Sequence, residues 1–284
     1  HADMVDWMND TIETLNGKDV LLLIKPHPTE KRYKPNRKPN QMLADLIHVP
    51  LADNVVLMDA LWLGTDALGR DVLSGLAHGA YVSLLVGLVS TIVALAIGVP
   101  VGALAGYFVG RTDDILMRFT EFFQTIPSFA LAIVLLAIFQ PSLTYVIIAI
   151  AIVSWPPVAR LVRGEVLSLR TREFVEAATL QGLGNTQIIL RHVLPNALPS
   201  IIVLASLMVA QAILLESSLS FLGLGDPNIM SWGYMIGAAR TVIRTAWWLS
   251  FLPGMAILLT VLALNLIGEG LNDALNPRLT RKSE

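Results

Sequence analysis

The sequence predicts an all-α polytopic membrane protein with a small α/β-like soluble segment at its start. Composition is the first reason: 54% of the 284 residues are hydrophobic, 15% are charged, and mean hydropathy is +0.63. An ordinary soluble domain is roughly 25% charged. The placement of charge is the second. No Asp, Glu, Lys or Arg occurs from 72 to 110, from 122 to 159, from 193 to 215 or from 245 to 268. Apolar runs of about 18 residues or more mark membrane spans. Four of them buried in one soluble core would leave too little polar surface to enclose it. The third is a change of character near residue 62, before which no apolar run reaches spanning length.

Residues 1–62 read as a soluble β-loop-α-β fragment. "DVLLLIKPHP" (19–28) is a short strand ended by prolines, and "KRYKPNRKPN" (31–40) is a basic, proline-broken loop. "QMLADLIHV" is a short helix and "NVVLMDALW" a second strand. Residues 1–17 are polar and acidic, so no secretory signal opens the sequence. Its first residue is His1, which suggests a fragment or processed product.

An amphipathic approach, "LGTDALGRDVLSGLAHGAYVSLL", leads into a first span at about 81–109. Gly98, Gly102, Gly106 and Gly110 recur there every four residues, with Ala94 one step earlier. That spacing lines one helix face with small residues, which lets a second helix approach closely where no hydrophobic force drives association. The charge-free run 122–159 is too long for one span. Divided at "FQPSLT" (139–144), it gives two, at about 119–139 and 143–162. Further spans at about 195–216 and 248–269 bring the total to five.

Lysine and arginine orient these spans. Arg163, Arg170, Arg172 and Arg191 lie between the third and fourth, with Arg160 at the membrane edge, and Arg278, Arg281 and Lys282 close the tail. Both regions are therefore expected on the cytoplasmic side of the membrane, and residues 1–80 outside. The eight Lys and Arg within 1–80 run against that rule.

The cytoplasmic stretch "REFVEAATLQGLGNTQIILRHVLPNALPS" (172–200) is polar and broken by glycines. Residues 174–181 predict a short helix ended by Gly182 and Gly184. Asn185 or Thr186 caps the next helix, and Leu194-Pro195 opens the next span. With small Ala177 and Ala178 on its surface, the short helix suits insertion into a groove on a soluble partner. An ordinary solvated loop fits the same residues equally well.

Glu176, Ala177 and Ala178, followed by Gly182 and then by Leu194 and Pro195, stand at the spacing of the EAA loop and resemble that of ATP-binding-cassette (ABC) importer permeases. The isoleucine usual two residues before Leu194 is here His192. "LGTDALGRDVLSGLAHGA" (63–80), "ESSLSFLGLG" (216–225), "SWGYMI" (231–236) and "WWLSFLPGMAILLTVLALNLIGEGLNDALNP" (247–277) extend the likeness. Over residues 63–284 the chain is similar to dipeptide, oligopeptide and nickel importer permeases, C-type subunit. That resemblance implies the type I ABC importer permease fold without its first helix. It also implies that Glu176, Ala177, Ala178, Gly182, Leu194 and Pro195 form a coupling loop docked on an ATPase. The partners implied are a second permease subunit, two cytoplasmic ATPase subunits and an external solute-binding protein, all around a lipid bilayer.

No G-x-x-x-x-G-K-[ST] occurs, so no P-loop ATP site is expected. Neither a catalytic residue, a cofactor nor a nucleic-acid partner is expected. Without cysteine, thiolate metal sites are excluded, and His27, His48, His78 and His192 are scattered rather than paired, with His192 read as a loop residue. Glu216 is a membrane-depth carboxylate and so a functional candidate. The reading preferred is an interfacial residue bonded to Ser217 or Ser218. Asp66, Arg70 and Asp71 are expected to shape the outer face.

Residues 1–62 do not fit the permease pattern. "LLLIKPHP" and "NVVLMD" resemble two short runs in the nucleotide-binding half of capsule-polysaccharide or glycerophosphate transferases. A chimeric junction near residues 61–63 is expected, with a genuine external domain as the alternative. The rival functions are a stand-alone secondary transporter or channel, which would need ionisable residues in mid-span, and a non-functional hybrid.

Overall fold

The computed structural model describes residues 22–24, 55–57, 63–64, 66, 70–139 and 141–275. It divides into two compact units, His1–Ala77 and His78–Glu284.

In the first unit, β1 (Leu22–Ile24) and β2 (Val55–Leu57) pair in parallel, with Leu22 opposite Val55 and Ile24 opposite Leu57. Adjacent parallel strands require a crossover connection. The helix expected at 41–49 and the loop at 31–40 lie outside the described residues. Asp66, Arg70 and Asp71 act locally. The Asp66 N–H donates to Arg70 O, and the Asp66 carboxylate accepts from the Arg70 N–H, each at 2.8 Å. The Asp71 carboxylate accepts from the N–H groups of Leu73 and Ser74 at 3.2 Å each, capping the helix that starts at Val72.

That helix, α1 (Val72–Phe108), runs 37 residues. It is followed by α2 (Gly110–Thr125), α3 (Ser128–Ile138) and α4 (Leu143–Leu169). Next come the short α5 (Glu173–Leu180) and α6 (Asn185–Ile188). A π turn over Ile189–Val193 runs on into α7 (Leu194–Phe221). The described chain ends with α8 (Trp232–Ala239) and α9 (Trp248–Leu275). Among the described residues, four helical stretches are long and apolar enough to cross a membrane: α1, α4, the continuous Asn185–Phe221 and α9. Counting α2 and α3 as one broken span gives five.

The expected straight span at 119–139 is replaced by that broken pair, whose helices meet at 81°. Pro127 is the cause. A proline disfavours the helical region for the residue before it, and Ile126 is accordingly extended, at φ −87° and ψ 127°. On one side of the break lies α2, which carries Arg111, Asp113, Asp114, Arg118 and Glu121. On the other is α3, uncharged but only 11 residues long, about 17 Å at the α-helical rise.

Packing centres on α7, which lies against α4, α8 and α9, while α4 also takes α2 and α3. One buried cluster joins Val158, Val162 and Val166 of α4 to Val175, Ala178, Ile188 and Val193 of the following loop. A second joins Leu136 of α3, Ile150 of α4 and Leu219 of α7. Trp247, Trp248 and Phe251 form an exposed aromatic group at the head of α9, with centroids 6.3 and 5.4 Å from that of Trp247.

Candidate functional site

The loop after α4 is built as a rigid projection. Two acidic side chains, Glu173 and Glu176, stand in the first turn of α5, where the helix dipole favours them. Val175 and Ala178, three apart, fall on one face and are buried in the cluster that contains Val162 and Val166. Glu176, Ala177 and Leu180 point the other way and are exposed, Leu180 to 89%. Ala178 therefore fastens the helix to the body, and of the two alanines expected on the surface only Ala177 is there.

At its end, α5 is closed by a Schellman motif. Gly182 N–H donates to Thr179 O at 3.0 Å and Leu183 N–H to Ala178 O at 3.3 Å. This geometry needs a left-handed residue at the turn, and Gly182 supplies it with φ +79°. Leu183 then packs against the cluster that holds Ala178, the apolar contact that accompanies such caps.

Gly184, rather than Asn185 or Thr186, precedes α6 as its N-cap, and no side chain caps it. The Asn185 side chain instead accepts from the Tyr107 hydroxyl at 3.2 Å, and Arg170 donates to the Tyr107 carbonyl at 3.3 Å. Both ends of the loop are thus bonded to the end of α1. The π turn over Ile189–Val193 sits just before Pro195, which has no N–H to continue an α-helical ladder. Leu194 N–H donates to Ile189 O across it, and the Asn196 amide donates to His192 O at 2.6 Å. Leu194 is half-buried, Pro195 exposed, and His192 half-buried within the turn.

Gly98, Gly102 and Gly106 face α4. A Cβ added at Gly98 would lie 2.6 Å from Val158 Cβ, and one at Gly106 would lie 2.7 Å from Arg163 O and 2.9 Å from Val166 Cβ. At Gly102 it would overlap the Ala159 carbonyl and lie 2.8 Å from Val162 Cβ. Gly110 departs from the series: it starts α2 at φ +59° with nothing within 4 Å. Beside it, Val109 holds φ 49°, a region costly for a β-branched residue, of order 1–3 kcal/mol.

Glu216 is 2% exposed and accepts from Ser220 Oγ at 2.7 Å and from Ser83 and Ser217 Oγ at 3.4 Å each. Of the two serines expected to bond it, Ser217 does so, while Ser218 donates to Leu214 O. Ser83 Oγ also accepts from Trp232 N–H at 3.3 Å, which ties α1, α7 and α8 together. The sequence reading missed α8; its available signal was Ser231, whose Oγ caps the helix at Tyr234 N–H. Among the described residues, no group of three or more His, Cys, Asp or Glu is placed to hold a metal.

Residues 98–281 match the family model described as binding-protein-dependent transport system inner membrane component. The di/tripeptide transport system permease protein DppC of Pseudomonas aeruginosa is 46% identical over 76% of this chain and 72% of its own length. The glutathione transport system permease protein GsiD of Pectobacterium atrosepticum is 42% identical over 78% and 73%. The oligopeptide transport system permease protein OppC of Haemophilus influenzae is 43% identical over 76% and 70%. In fold, the chain resembles one from the MetNI methionine ABC transporter in an inward-facing conformation. The TM-score is 0.63 at 18% identity, with 72% of this chain and 98% of the other covered. The likeness of residues 1–62 to a transferase fragment is not borne out by these matches.

Proposed function

The chain belongs to the binding-protein-dependent transport system inner membrane component family, and from that premise we propose that α5 and its glycine cap couple the motion of an ATPase to the membrane helices. The chain is a multi-pass permease subunit of an ATP-driven importer, with hydrolysis carried out by separate subunits. The solute class we assign is short peptides, since the relatives are named for di- and tripeptides, oligopeptides and glutathione, itself a peptide. The assembly we assign comprises a second permease, two ATPases on the cytoplasmic face and an external binding protein.

One observation carries the coupling role. The loop presents an apolar tip, Leu180, beside the small Ala177 and the acidic Glu173 and Glu176, on a helix whose other face is locked into the core. Such a helix fits an apolar groove rimmed by cations on the ATPase, and because it is locked to α4 it passes displacement on rather than absorbing it. In proteoliposomes holding the full complex, ATP should drive dipeptide uptake. Leu180→Asp removes the anchor, a loss of about 2 kcal/mol or more, and should cut uptake at least tenfold while leaving the subunits assembled. Uptake that proceeds without ATP under an ion gradient would instead favour a secondary transporter. Normal uptake by the Leu180→Asp complex would remove α5 from the coupling role.

Residues 1–62 are assigned as separate from a permease domain over 63–284. The parallel strand pair β1–β2 supports this, although the compact units part later, between Ala77 and His78. Deleting 1–62 should leave ATP-driven uptake within about twofold of the full chain, as expected for a segment outside the cooperative core. Transport lost on deletion, with a topology reporter at residue 40 uniformly external, would make the segment a working external domain.

A further inference from the structure

Arg163 is one of the positive charges that orient the spans, and it is also half of an ion pair. With Asp113 of α2 it makes a two-pronged contact: Nε donates to Oδ1 at 2.5 Å and Nη2 to Oδ2 at 2.6 Å. Asp113 is 7% exposed. Exposed ion pairs contribute little. This pair lies between the extremes: Asp113 is buried while the Arg163 side chain is 36% exposed, and its bidentate geometry fixes orientation, with the Asp113 carboxylate stranded if Arg163 is removed.

The pair ends a longer seam between α2 and α4. Arg160 donates to the Gln124 side chain at 2.6 Å. Farther back, Trp155 stacks on Phe119 (5.9 Å, 27°) and meets Phe123 edge-on (5.4 Å). Positions 155, 159 and 163 lie on successive turns of α4, and neighbouring turns at 158, 162 and 166 receive the glycines of α1. The inner part of α4 is therefore gripped by α1 and by α2. From Arg163 it continues through Val166 to the hydrogen-bonded turn in which Arg172 N–H meets Leu169 O at 3.1 Å, and so into α5. The elbow between α1 and α2 gives an independent sign that α2 is held in place. Val109 keeps its strained φ of 49°, and such strain persists only where the surroundings over-determine it.

We propose that the Asp113–Arg163 pair is a positioning clamp that makes α2 travel with α4 as one body when α5 is displaced, so that the coupling loop drives the broken α2–α3 element as well as α4. This rests on the coupling role assigned to α5. The chain has no cysteine, so two introduced ones can carry spin labels: Phe122→Cys on α2 and Gly164→Cys on α4, both exposed.

In the complex assembled with its ATPases, the label distance should be narrow and equal with and without ATP–vanadate. With Asp113→Asn or Arg163→Gln it should broaden and differ between the two states. ATP consumed per dipeptide imported should rise roughly tenfold, within the range of mutations along a coupling path. The swap D113R/R163D should restore the narrow distance and most of the coupling. A distance that changes on vanadate trapping in the unmutated clamp, or one that stays narrow in the single variants, overturns the proposal. If the single variants fail to assemble, the swap decides: an assembled and coupled swap supports the clamp, and a failed or uncoupled one overturns it. A complex in which hydrolysis never drives uptake would count against the role of α5, a result separate from the distance measurement.

Discussion

Gly102→Leu should abolish recovery of the intact complex, whereas Gly164→Leu on the facing helix should be tolerated. At Gly102 a single added carbon already overlaps the Ala159 carbonyl and crowds Val162 Cβ. The first of these is backbone, which has no rotamer to change. Overpacking against mobile side chains costs about 1–3 kcal/mol; here relief requires α1 and α4 to part, which opens the cluster to which α5 is anchored. A loss of at least about 3 kcal/mol is a large share of the 5–15 kcal/mol that holds a typical domain together. Gly164 has open space around it and no positive φ, so its leucine only adds apolar surface. Complex yield and thermal midpoint in detergent read the contrast. Equal values for the two variants would mean that the close approach of α1 and α4 is incidental to assembly.

The second large effect is expected at Gly182, and it should appear in coupling rather than in yield. A Cβ there meets nothing within 4 Å, so size is no obstacle; the φ of +79° is. Holding an L-residue in the left-handed region costs about 1–2 kcal/mol, more for a β-branched one, while asparagine visits it readily. Gly182→Val should unwind the last turn of α5, release the Leu183 contact and turn Leu180 away from its partner. ATP hydrolysis stimulated by the binding protein should fall to near the basal rate in a complex of normal yield, and Gly182→Asn should keep most of it. Full stimulation in the valine variant would show that α5 does not need its cap to couple.

Much of this was legible because it depends on composition along one helix. Charge-free runs located α1, α4, α7 and α9, and the four-residue spacing of Gly98, Gly102 and Gly106 marked the face that meets α4. The misreadings have local causes. Hydropathy saw 119–139 as a span because it weighs polarity and ignores what Pro127 does to Ile126. Gly110 fitted the spacing, but the helix had already ended at Phe108. Asn185 looked like a cap because its side chain is of the right type; Tyr107, 78 positions earlier, had claimed it. Ala178 looked exposed because a small residue does not declare which face it takes. The Asp113–Arg163 pair, 50 positions apart, and the Ser83–Glu216 bond, 133 apart, are pairings made only by tertiary packing, and no spacing within one segment encodes them.

The aromatic group at the head of α9 has a consequence for the lipid. Tryptophan settles at the headgroup level, so Trp247 and Trp248 mark one edge of the bilayer. The helix has 28 residues, about 42 Å at 1.5 Å each, while the hydrocarbon layer is about 30 Å thick. Some twenty residues on from Trp248, the layer ends near Gly268. Glu269 and Asp273, both exposed, then stand in water on the far side. The depth of α9 is thus set by membrane thickness between an aromatic marker and an acidic one. Lipids with longer acyl chains draw Glu269 toward hydrocarbon, and shorter ones make the helix tilt. Chain length of the host lipid is therefore expected to act on this subunit through its last helix.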